Sequence, residues 1–183
     1  PGWNASTEPD IDLVTGWDSG RNLGLKTGSF PAFDVEDGPH ADAITNLLLS
    51  FFGKDYPMRS RPGSASRGFI VRLADGETWA SHSVRTAAGD LVLEVSGANR
   101  QFHVEGFRAD KGVTLQWTKQ PVASKLIEIP AAGLSNIIAS VREYLDRAGV
   151  GANVNAGAGP RLSGADKDVT AGADEVAWIM KHV

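Results

Sequence analysis

The sequence predicts an α+β domain built from short strands and a few helices. Three observations favour this class. Short apolar segments bounded by glycine and polar turns recur along the chain, and two longer segments have the periodicity of amphipathic helices. The regular strand–helix alternation of a parallel doubly wound sheet is not present. The apolar fraction of 42% over 183 residues is ordinary for a globular protein and indicates one domain with a short appendage.

In the first third of the chain, capping residues, turn residues and glycines mark where the predicted helices and strands begin and end. Residues 6–16 predict a short helix, because a Ser or Thr cap precedes acids in the first turn and a glycine closes it. Strands are predicted over 23–25 and 32–35, on either side of a Lys-Thr-Gly-Ser turn, as a hairpin or tight bend. A helix over 41–52 is expected to end at Gly53.

The middle of the chain predicts strands in succession. Two apolar strands are expected over 68–73 and 91–95. A following pair, 101–104 and 113–117, is joined by the polar turn 108–112. These strands are therefore expected to pair with neighbours along the sequence.

The last third predicts a long amphipathic helix and a less ordered tail. Ser135 is expected to cap a helix that runs through Ala148, with its apolar side chains on one stripe. A Gly/Ala-rich segment of low complexity follows, and residues 174–182 have the pattern of a final helix. The predicted domain organisation is a main domain over 1–148, a linker over 149–160 and a C-terminal segment over 161–183.

Composition excludes several classes of protein. No run of eighteen apolar residues is present, so no membrane span is predicted. The lack of cysteine excludes disulfides and thiolate metal sites and fits a reducing cytoplasm. A net charge of −4 argues against nonspecific coating of nucleic acid, although residues 54–72 contain five lysines and arginines, a single aspartate and a formal charge of +4.

Three carboxylates lie on predicted strands and indicate a metal site. Asp34 and Glu36 are two residues apart, so a strand directs both side chains to the same face, roughly 6–7 Å apart. Glu94 interrupts an otherwise apolar strand. Three hard oxygen donors suit Mg²⁺ or Mn²⁺ holding a nucleoside triphosphate, which points to phosphoryl transfer. Two alternatives stay open: the spacing of Asp34 and Glu36 arises by chance, and Glu94 lies on an edge strand and faces solvent.

A turn rich in hydroxyl groups is the candidate phosphate contact. Ser64-Ala-Ser-Arg-Gly68 offers hydroxyls, backbone amides and a guanidinium group, although it has neither the Gly-Lys-Ser/Thr ending nor the glycine spacing of a P-loop. The four histidines lack the spacing of zinc ligands, and no Ser-His-Asp order or nucleophile elbow is present.

Several short motifs stand in a particular order along the chain. They are Gly2-Trp3 with Ser6-Thr7-Glu8, Asn22-Leu-Gly-Leu-Lys-Thr-Gly28, Asp34-Val-Glu36, Pro57-Met-Arg59, Ser66-Arg67-Gly-Phe-Ile-Val-Arg72, Glu94-Val-Ser-Gly97 with Gln101-Phe102, and Gly106-Phe-Arg-Ala-Asp-Lys-Gly-Val-Thr-Leu-Gln-Trp117. In this order, over residues 1–148, the chain resembles the N-terminal bifunctional DNA primase–polymerase (Prim-Pol) domain of phages and plasmids, in the archaeo-eukaryotic primase superfamily. Each motif is loose, and their shared order carries the resemblance.

The resemblance implies both a fold and an activity. The fold would be of the primase type, with an antiparallel RNA-recognition-like catalytic sheet flanked by helices. The activity would be template-directed nucleotidyl transfer that makes and extends primers in phage or plasmid DNA replication. Asp34, Glu36 and Glu94 would be catalytic and bind two Mg²⁺ or Mn²⁺ ions. The partners would be a single-stranded DNA template, dNTP or NTP and a helicase domain fused downstream, in the cytoplasm of a bacterial host.

The resemblance also implies nucleotide contacts. They would be made by residues on four segments: Arg67 with Ser64 or Ser66, then Arg59 and Arg61, Gln101, and Arg108. The chain departs from the family pattern at three of its positions. Arg67 and Arg108 stand where the family commonly has histidine, and Leu115 replaces a tyrosine. The usual first strand, with its lysine–proline stretch, is missing ahead of Pro1.

Two other functions compete with this interpretation. A metal-dependent nuclease also uses an acidic cluster, but the common nuclease core has a lysine two residues after its glutamate, where this chain has Ser96. The other is a catalytically silent DNA-binding module of a replication protein. A small α+β binding domain with unpaired surface acids is a third and plainer interpretation.

Overall fold

The computed structural model describes residues 23–98, 100–108 and 112–156. The predicted helices over 6–16 and 174–182, the C-terminal segment and the motif at 2–8 lie outside these residues. The helices are α1 (Ala41–Phe52) and α2 (Ala131–Arg147). The strands are β1 (Leu23–Thr27), β2 (Ala32–Val35), β3 (Arg59–Ser60), β4 (Arg67–Ile70), β5 (Arg72–Leu73), β6 (His82–Thr86), β7 (Leu91–Ser96), β8 (Arg100–Glu105), β9 (Phe107–Arg108), β10 (Val113–Thr114), β11 (Gln116–Trp117), β12 (Glu128–Ile129) and β13 (Ala152–Ala156).

A seven-stranded sheet organises the described residues. Its strand order is β11–β3–β4–β2–β7–β6–β13, and every neighbouring pair in it is antiparallel. Strand β2 therefore lies at the centre, between β4 and β7. The predicted α+β class is confirmed, with two helices and a mostly antiparallel sheet in the part of the chain that the structure describes.

The helices cover one face of this sheet. On β2, Phe33 and Val35 are completely buried, and each is in register with an apolar residue of β7. Phe33 packs edge-to-face on Phe52 at the end of α1, with ring centroids 5.2 Å apart. The buried stripe of α2 includes Leu134 and Leu145 and joins the same core. The alternation of β2 thus leaves Asp34 and Glu36 for the other face.

A two-stranded ribbon, β1 with β8, lies against that other face. Leu25 of β1 and Phe102 of β8 are paired and buried, and the Phe102 ring contacts the guanidinium of Arg59 on β3. Of the two alternatives predicted between the strands at 23–25 and 32–35, the hairpin is therefore wrong and the tight bend is confirmed, since residues 28–30 form a bend. The backbone of β1 pairs with a strand more than 70 residues later, because packing rather than sequence proximity selects its partner.

The predicted pair of 101–104 with 113–117 is also wrong. Strand β8 pairs with β1, β9 pairs with β10 in a short hairpin, and β11 pairs with β3 at the sheet edge. The segment at 113–117 is split at Leu115, whose amide bonds to the carbonyl of Gly106. Its two halves consequently belong to different sheets.

Three other boundaries differ from prediction. Helix α2 begins at Ala131, one turn before Ser135, whose hydroxyl donates to the carbonyl of Ala131 instead of capping the helix. The strand predicted over 68–73 is interrupted at Val71, and its last two residues pair with β12. The predicted linker over 149–160 contains β13, a five-residue edge strand that pairs with β6.

Other elements match prediction closely. Helix α1 and strand β2 have the predicted bounds, and β7 extends the predicted strand by one residue. In the described residues, neither helix has the length and apolar character needed to span a bilayer.

Tyr56 fastens the segment after α1 to the core. Its hydroxyl donates to the carbonyl of Ile70 at 2.7 Å and accepts from the amide of Ile127 at 3.2 Å. Burial raises the pKa of Tyr56 to about 12, while the Ile127 hydrogen bond acts in the opposite direction. The folded state therefore favours the neutral phenol more strongly than the unfolded chain does.

Tyr56→Phe is expected to lower the free energy of unfolding by about 1–3 kcal/mol at neutral pH, because the buried Ile70 carbonyl and the partly buried Ile127 amide lose their partner. Urea denaturation measures this change. The matched control is Tyr144→Phe, which removes one half-buried hydrogen bond to His40 and should cost less. Equal losses in the two variants would contradict the anchoring role of Tyr56.

The raised pKa of Tyr56 predicts that the free energy of unfolding depends on pH in the alkaline range. Its folded pKa of about 12 lies above the ordinary tyrosine value of about 10, so its contribution is complete below pH ~10 and is lost as the pH rises toward 12. Between these limits the wild-type protein should lose stability more steeply than Tyr56→Phe. Parallel slopes in urea denaturation at several alkaline pH values would contradict this expectation.

Candidate functional site

A row of residues in register crosses the open face of the sheet. Arg59 on β3 pairs with Gly68 on β4, Gly68 with Asp34 on β2, and Asp34 with Glu94 on β7. Because directly opposed residues of antiparallel strands point to the same face, Asp34 and Glu94 lie side by side, with Cβ atoms about 4.5–5.5 Å apart. Glu94 is thus on an interior strand of the sheet, not on an edge.

Glu36 adds a third carboxylate on the same face. Its amide donates to the carbonyl of Val92 at 3.1 Å, which continues the pairing of β2 with β7 beyond Val35. Burial raises the pKa of Glu36, the neighbouring Asp34 carboxylate raises it further and Glu94 adds to this, while Arg61 and Arg59 oppose the shift. The three predicted acids therefore interact electrostatically at one place.

Arg59 is buried beneath this acidic face. Its side chain is only 4% exposed, and Nη2 donates to Oδ1 of Asp34 at 2.8 Å. Nη1 donates to the carbonyl of His103 on β8, and the guanidinium carbon lies 4.0 Å from the centre of the Phe102 ring. Arg59 therefore orients Asp34 and links the sheet to the β1–β8 ribbon.

Gly68 creates the space for this guanidinium. A Cβ at this position would lie 2.6 Å from Cζ of Phe102 and 2.8 Å from Nε of Arg59. Both distances are shorter than the contacts that a real Cβ atom makes. The cross-sheet row therefore requires glycine between Arg59 and Asp34. The close approach, rather than an unusual backbone angle, accounts for the glycine.

The predicted phosphate-binding turn is held by its own contacts. Arg67 donates through Nη1 to the carbonyls of Ser64 and Ser66, each at 2.8 Å. Arg67 is in register with Val35, so strand alternation directs it to the face opposite Asp34. The structure thus does not bring Arg67 together with the carboxylates, and Ser66 is buried.

Asp37, which the sequence analysis missed, is the anchor of this turn. Its Oδ2 accepts from the Ser64 hydroxyl at 2.9 Å and its Oδ1 from the amide of Ala65 at 3.1 Å. The Ser64 hydrogen bond and then the Ala65 hydrogen bond lower the pKa of Asp37, and Arg61 acts in the same direction. Arg61 therefore lies in the field of both Asp37 and Glu36, on the carboxylate side of the molecule.

The remaining predicted contacts lie on other elements. Gln101 is exposed on β8 beside the buried Phe102, so alternation directs it away from the sheet. Its side chain instead covers Gly24 on β1, where a Cβ would overlap it. Arg108 belongs to β9, and its backbone pairs with Val113. Neither residue joins the cross-sheet row.

The acids fit a divalent metal by chemistry. Three carboxylates on one face supply hard oxygen donors, and the pKa of Glu36 is raised first by burial and then by repulsion from Asp34 and Glu94, which a bound cation would relieve. Asp34 already uses one oxygen to bind Arg59. Across residues 23–98, 100–108 and 112–156, no three His, Asp or Glu side chains converge closely enough to hold an ion in this conformation.

A cavity of about 880 Å³ opens beside Glu36, at the end of β2. Its lining includes two further acids, Asp37 and Asp90, and the start of α1 at Ala41. Apolar residues from β7 and the adjoining loops complete the wall. Its volume is in the range of small-molecule sites, which is about 300–1,000 Å³. The acidic face thus continues into a concave space large enough for a nucleotide.

Comparison with known proteins gives no assignment. No protein-family model matches this chain, and no curated protein matches it.

Gly68→Ala is expected to destabilise the protein by about 1–3 kcal/mol, because the added methyl group displaces Arg59 and the Phe102 ring. Chemical denaturation measures the loss. Gly28→Ala is the matched control, since a Cβ there meets nothing within 4 Å and the backbone φ is not in the left-handed region. A control variant as unstable as Gly68→Ala would show that the close approach is not the cause.

Proposed function

We propose that this domain is a template-directed nucleotidyltransferase of the DNA primase–polymerase kind. The observation that supports it best is the acidic face: Asp34 and Glu94 are register partners on central strands, and Glu36 lies on the same side. An antiparallel sheet that presents carboxylates on one face and packs helices on the other also agrees with the resemblance in sequence motifs. The chemistry of such a site is phosphoryl transfer.

In this proposal each carboxylate has a definite role. Asp34, Glu36 and Glu94 would hold two Mg²⁺ or Mn²⁺ ions, which supply activation of the attacking hydroxyl and charge stabilisation of the leaving pyrophosphate. Arg59 acts indirectly, through Asp34. It holds one carboxylate oxygen of Asp34 and so fixes the direction of the other oxygen. Positioning of this kind is a major part of catalysis in phosphoryl transfer.

The cavity beside Glu36 is the proposed place for the incoming nucleotide. Among the predicted phosphate contacts, Arg61 is the one whose charge acts on Glu36 and Asp37, so it is the best placed to neutralise a triphosphate. Arg67 would need to release the carbonyls of Ser64 and Ser66 before it could do so. We therefore assign the first phosphate contact to Arg61.

A second function is favoured by one observation, the ion pair between Arg59 and Asp34. A carboxylate already neutralised by a buried guanidinium does not need a metal, which is what a catalytically silent DNA-binding module would show. Such a module predicts DNA binding that is unaffected by loss of Asp34, with no templated incorporation. The same ion pair suits the enzyme if it sets the orientation of a ligand.

Asp34→Ala and Glu36→Ala are each expected to abolish nucleotide incorporation, because each removes a metal ligand and leaves two carboxylates at most. The assay measures labelled dNTP and NTP incorporation on single-stranded templates, with and without a primer, in Mg²⁺ and in Mn²⁺. Asp42→Ala, an exposed acid in the first turn of α1, is the control and should retain activity. A 5′-labelled oligonucleotide in the same assay separates extension from nuclease fragments.

Wild-type rates in either variant would refute the assignment of the carboxylates. An absence of incorporation in the wild-type protein under every condition would instead favour the silent DNA-binding module.

Metal binding is expected to stabilise the wild-type protein through the same residues. At a Mn²⁺ concentration of about 100 times Kd, linkage gives about 2.7 kcal/mol, or a rise in Tm of roughly 5–10 °C. Glu94→Gln should lose most of this rise, whereas Glu143→Gln, on the exposed side of α2, should keep it. Thermal unfolding with and without Mn²⁺ measures both. An equal rise in both variants would place the metal elsewhere.

A further inference from the structure

A second concave surface lies away from the acidic face, and it is basic. It has a volume of about 580 Å³ and is formed by residues 52–57, at and after the end of α1, and by residues from the segment 119–126, after β11. Lys54, Lys119 and Lys125 line it, with Asp55 as the only acid in the lining. We call this surface the lysine pocket. Three of the seven lysines of the chain are gathered here, in a protein whose net charge is −4.

The three ammonium groups are available to a ligand. Lys54, Lys119 and Lys125 are exposed, and within the described part of the chain no acidic side chain forms an ion pair with any of them. Lysine ammonium groups are compact point charges that bind phosphate without a fixed planar geometry. Their concentration around one concavity therefore indicates a ligand that carries several phosphates.

Hydrogen bonds hold the two walls of the lysine pocket together. Met58 and Thr118 exchange two of them, from the Thr118 amide to the Met58 carbonyl at 2.9 Å and from the Met58 amide to the Thr118 hydroxyl at 3.1 Å. Tyr56, on the first wall, bonds to Ile127 just beyond the second. The backbone that carries the lysines is thus fixed by the fold, so little ordering is needed when a ligand binds.

An exposed apolar side chain lies beside the charges. Val122 lines the lysine pocket and is 42% exposed. It is one of the four large hydrophobic side chains that are exposed among the described residues. An exposed apolar group next to phosphate-binding cations suits the bases of a single strand better than a free polyphosphate.

The lysine pocket and the acidic cavity lie beyond opposite ends of β2. Tyr56 of the lysine pocket bonds to the carbonyl of Ile70, and Ile70 is the register partner of Ala32 at the start of β2. Glu36, in the acidic cavity, follows the end of the same strand. From Ala32 to Glu36 the strand spans about 13 Å at roughly 3.3 Å per residue. The length of β2 therefore sets the scale of the separation between the two surfaces.

We infer that the lysine pocket binds the phosphate backbone of single-stranded DNA and holds the template strand. This role deepens the proposed polymerase function and rests on it, but the binding itself requires no catalysis. Lys54, Lys119 and Lys125 neutralise successive phosphates, while Val122 contacts the bases. With three lysines and one aspartate in its lining, the lysine pocket attracts the phosphate backbone and is the place where the strand is held.

The test is the binding of a fluorescently labelled oligothymidine to the full chain, followed by anisotropy over a salt titration without nucleotide or metal. Lys119→Gln/Lys125→Gln should lower the slope of log K against log salt by about 1.4, or roughly 25-fold in affinity at about 0.1 M salt. The matched control is Arg142→Gln/Arg147→Gln on α2, which makes the same change in net charge at exposed positions. Thermal unfolding verifies that both variants are folded.

Each outcome has a definite meaning. Weaker binding by the lysine variant alone supports the lysine pocket, even if the chain incorporates no nucleotide, in which case only the polymerase proposal fails. Equal binding by the two variants, or no binding by the wild-type chain, overturns the inference. Inorganic tripolyphosphate as a second probe separates the ligand sources: lysine-dependent binding of tripolyphosphate with unchanged oligothymidine binding would overturn the assignment to DNA.

Discussion

The buried guanidinium of Arg59 is the interaction on which the described structure depends most. A charged group removed from water must be paired and hydrogen-bonded, and Arg59 has an Asp34 oxygen, the His103 carbonyl and the face of Phe102. These partners come from two separate layers, the seven-stranded sheet and the β1–β8 ribbon. Satisfying one charge therefore fixes the position of the ribbon over the sheet, and it requires Gly68 between them.

The burial of one face of β2 also determines where charged side chains lie on the molecule. Helices bury the face of β2 that carries Phe33 and Val35, so every ionisable side chain of that strand lies on the opposite face. Acids accumulate there and around the cavity at the end of β2, whereas a group of lysines lies beyond its start. The separation of signs along one short strand gives the domain an electrostatic polarity despite its net negative charge.

Local signals in the sequence predicted elements whose ends have a local cause. Helix α1 has the predicted bounds because an apolar stripe and a terminal glycine define it, and β2 has them because Pro31 precedes it and the polar segment 36–38 follows it. The acidic face was also predictable in part, since a spacing of two on a strand places Asp34 and Glu36 on one side. The pairing of β1 with β8, the edge strand at 152–156 and the burial of Arg59 had no local signal. Each of them depends on residues distant in the sequence.

The sequence by itself determined the α+β class, the periodicity of its helices and the carboxylates available for chemistry, because these follow from residue type and spacing. Only the tertiary structure decided which residues act together. Strand register made Glu94 the neighbour of Asp34, packing buried Arg59 beneath them, and alternation turned Arg67 and Gln101 away. The physical reason is that a strand's hydrogen bonds are indifferent to side-chain identity, so its partners are selected by the packing of the whole domain.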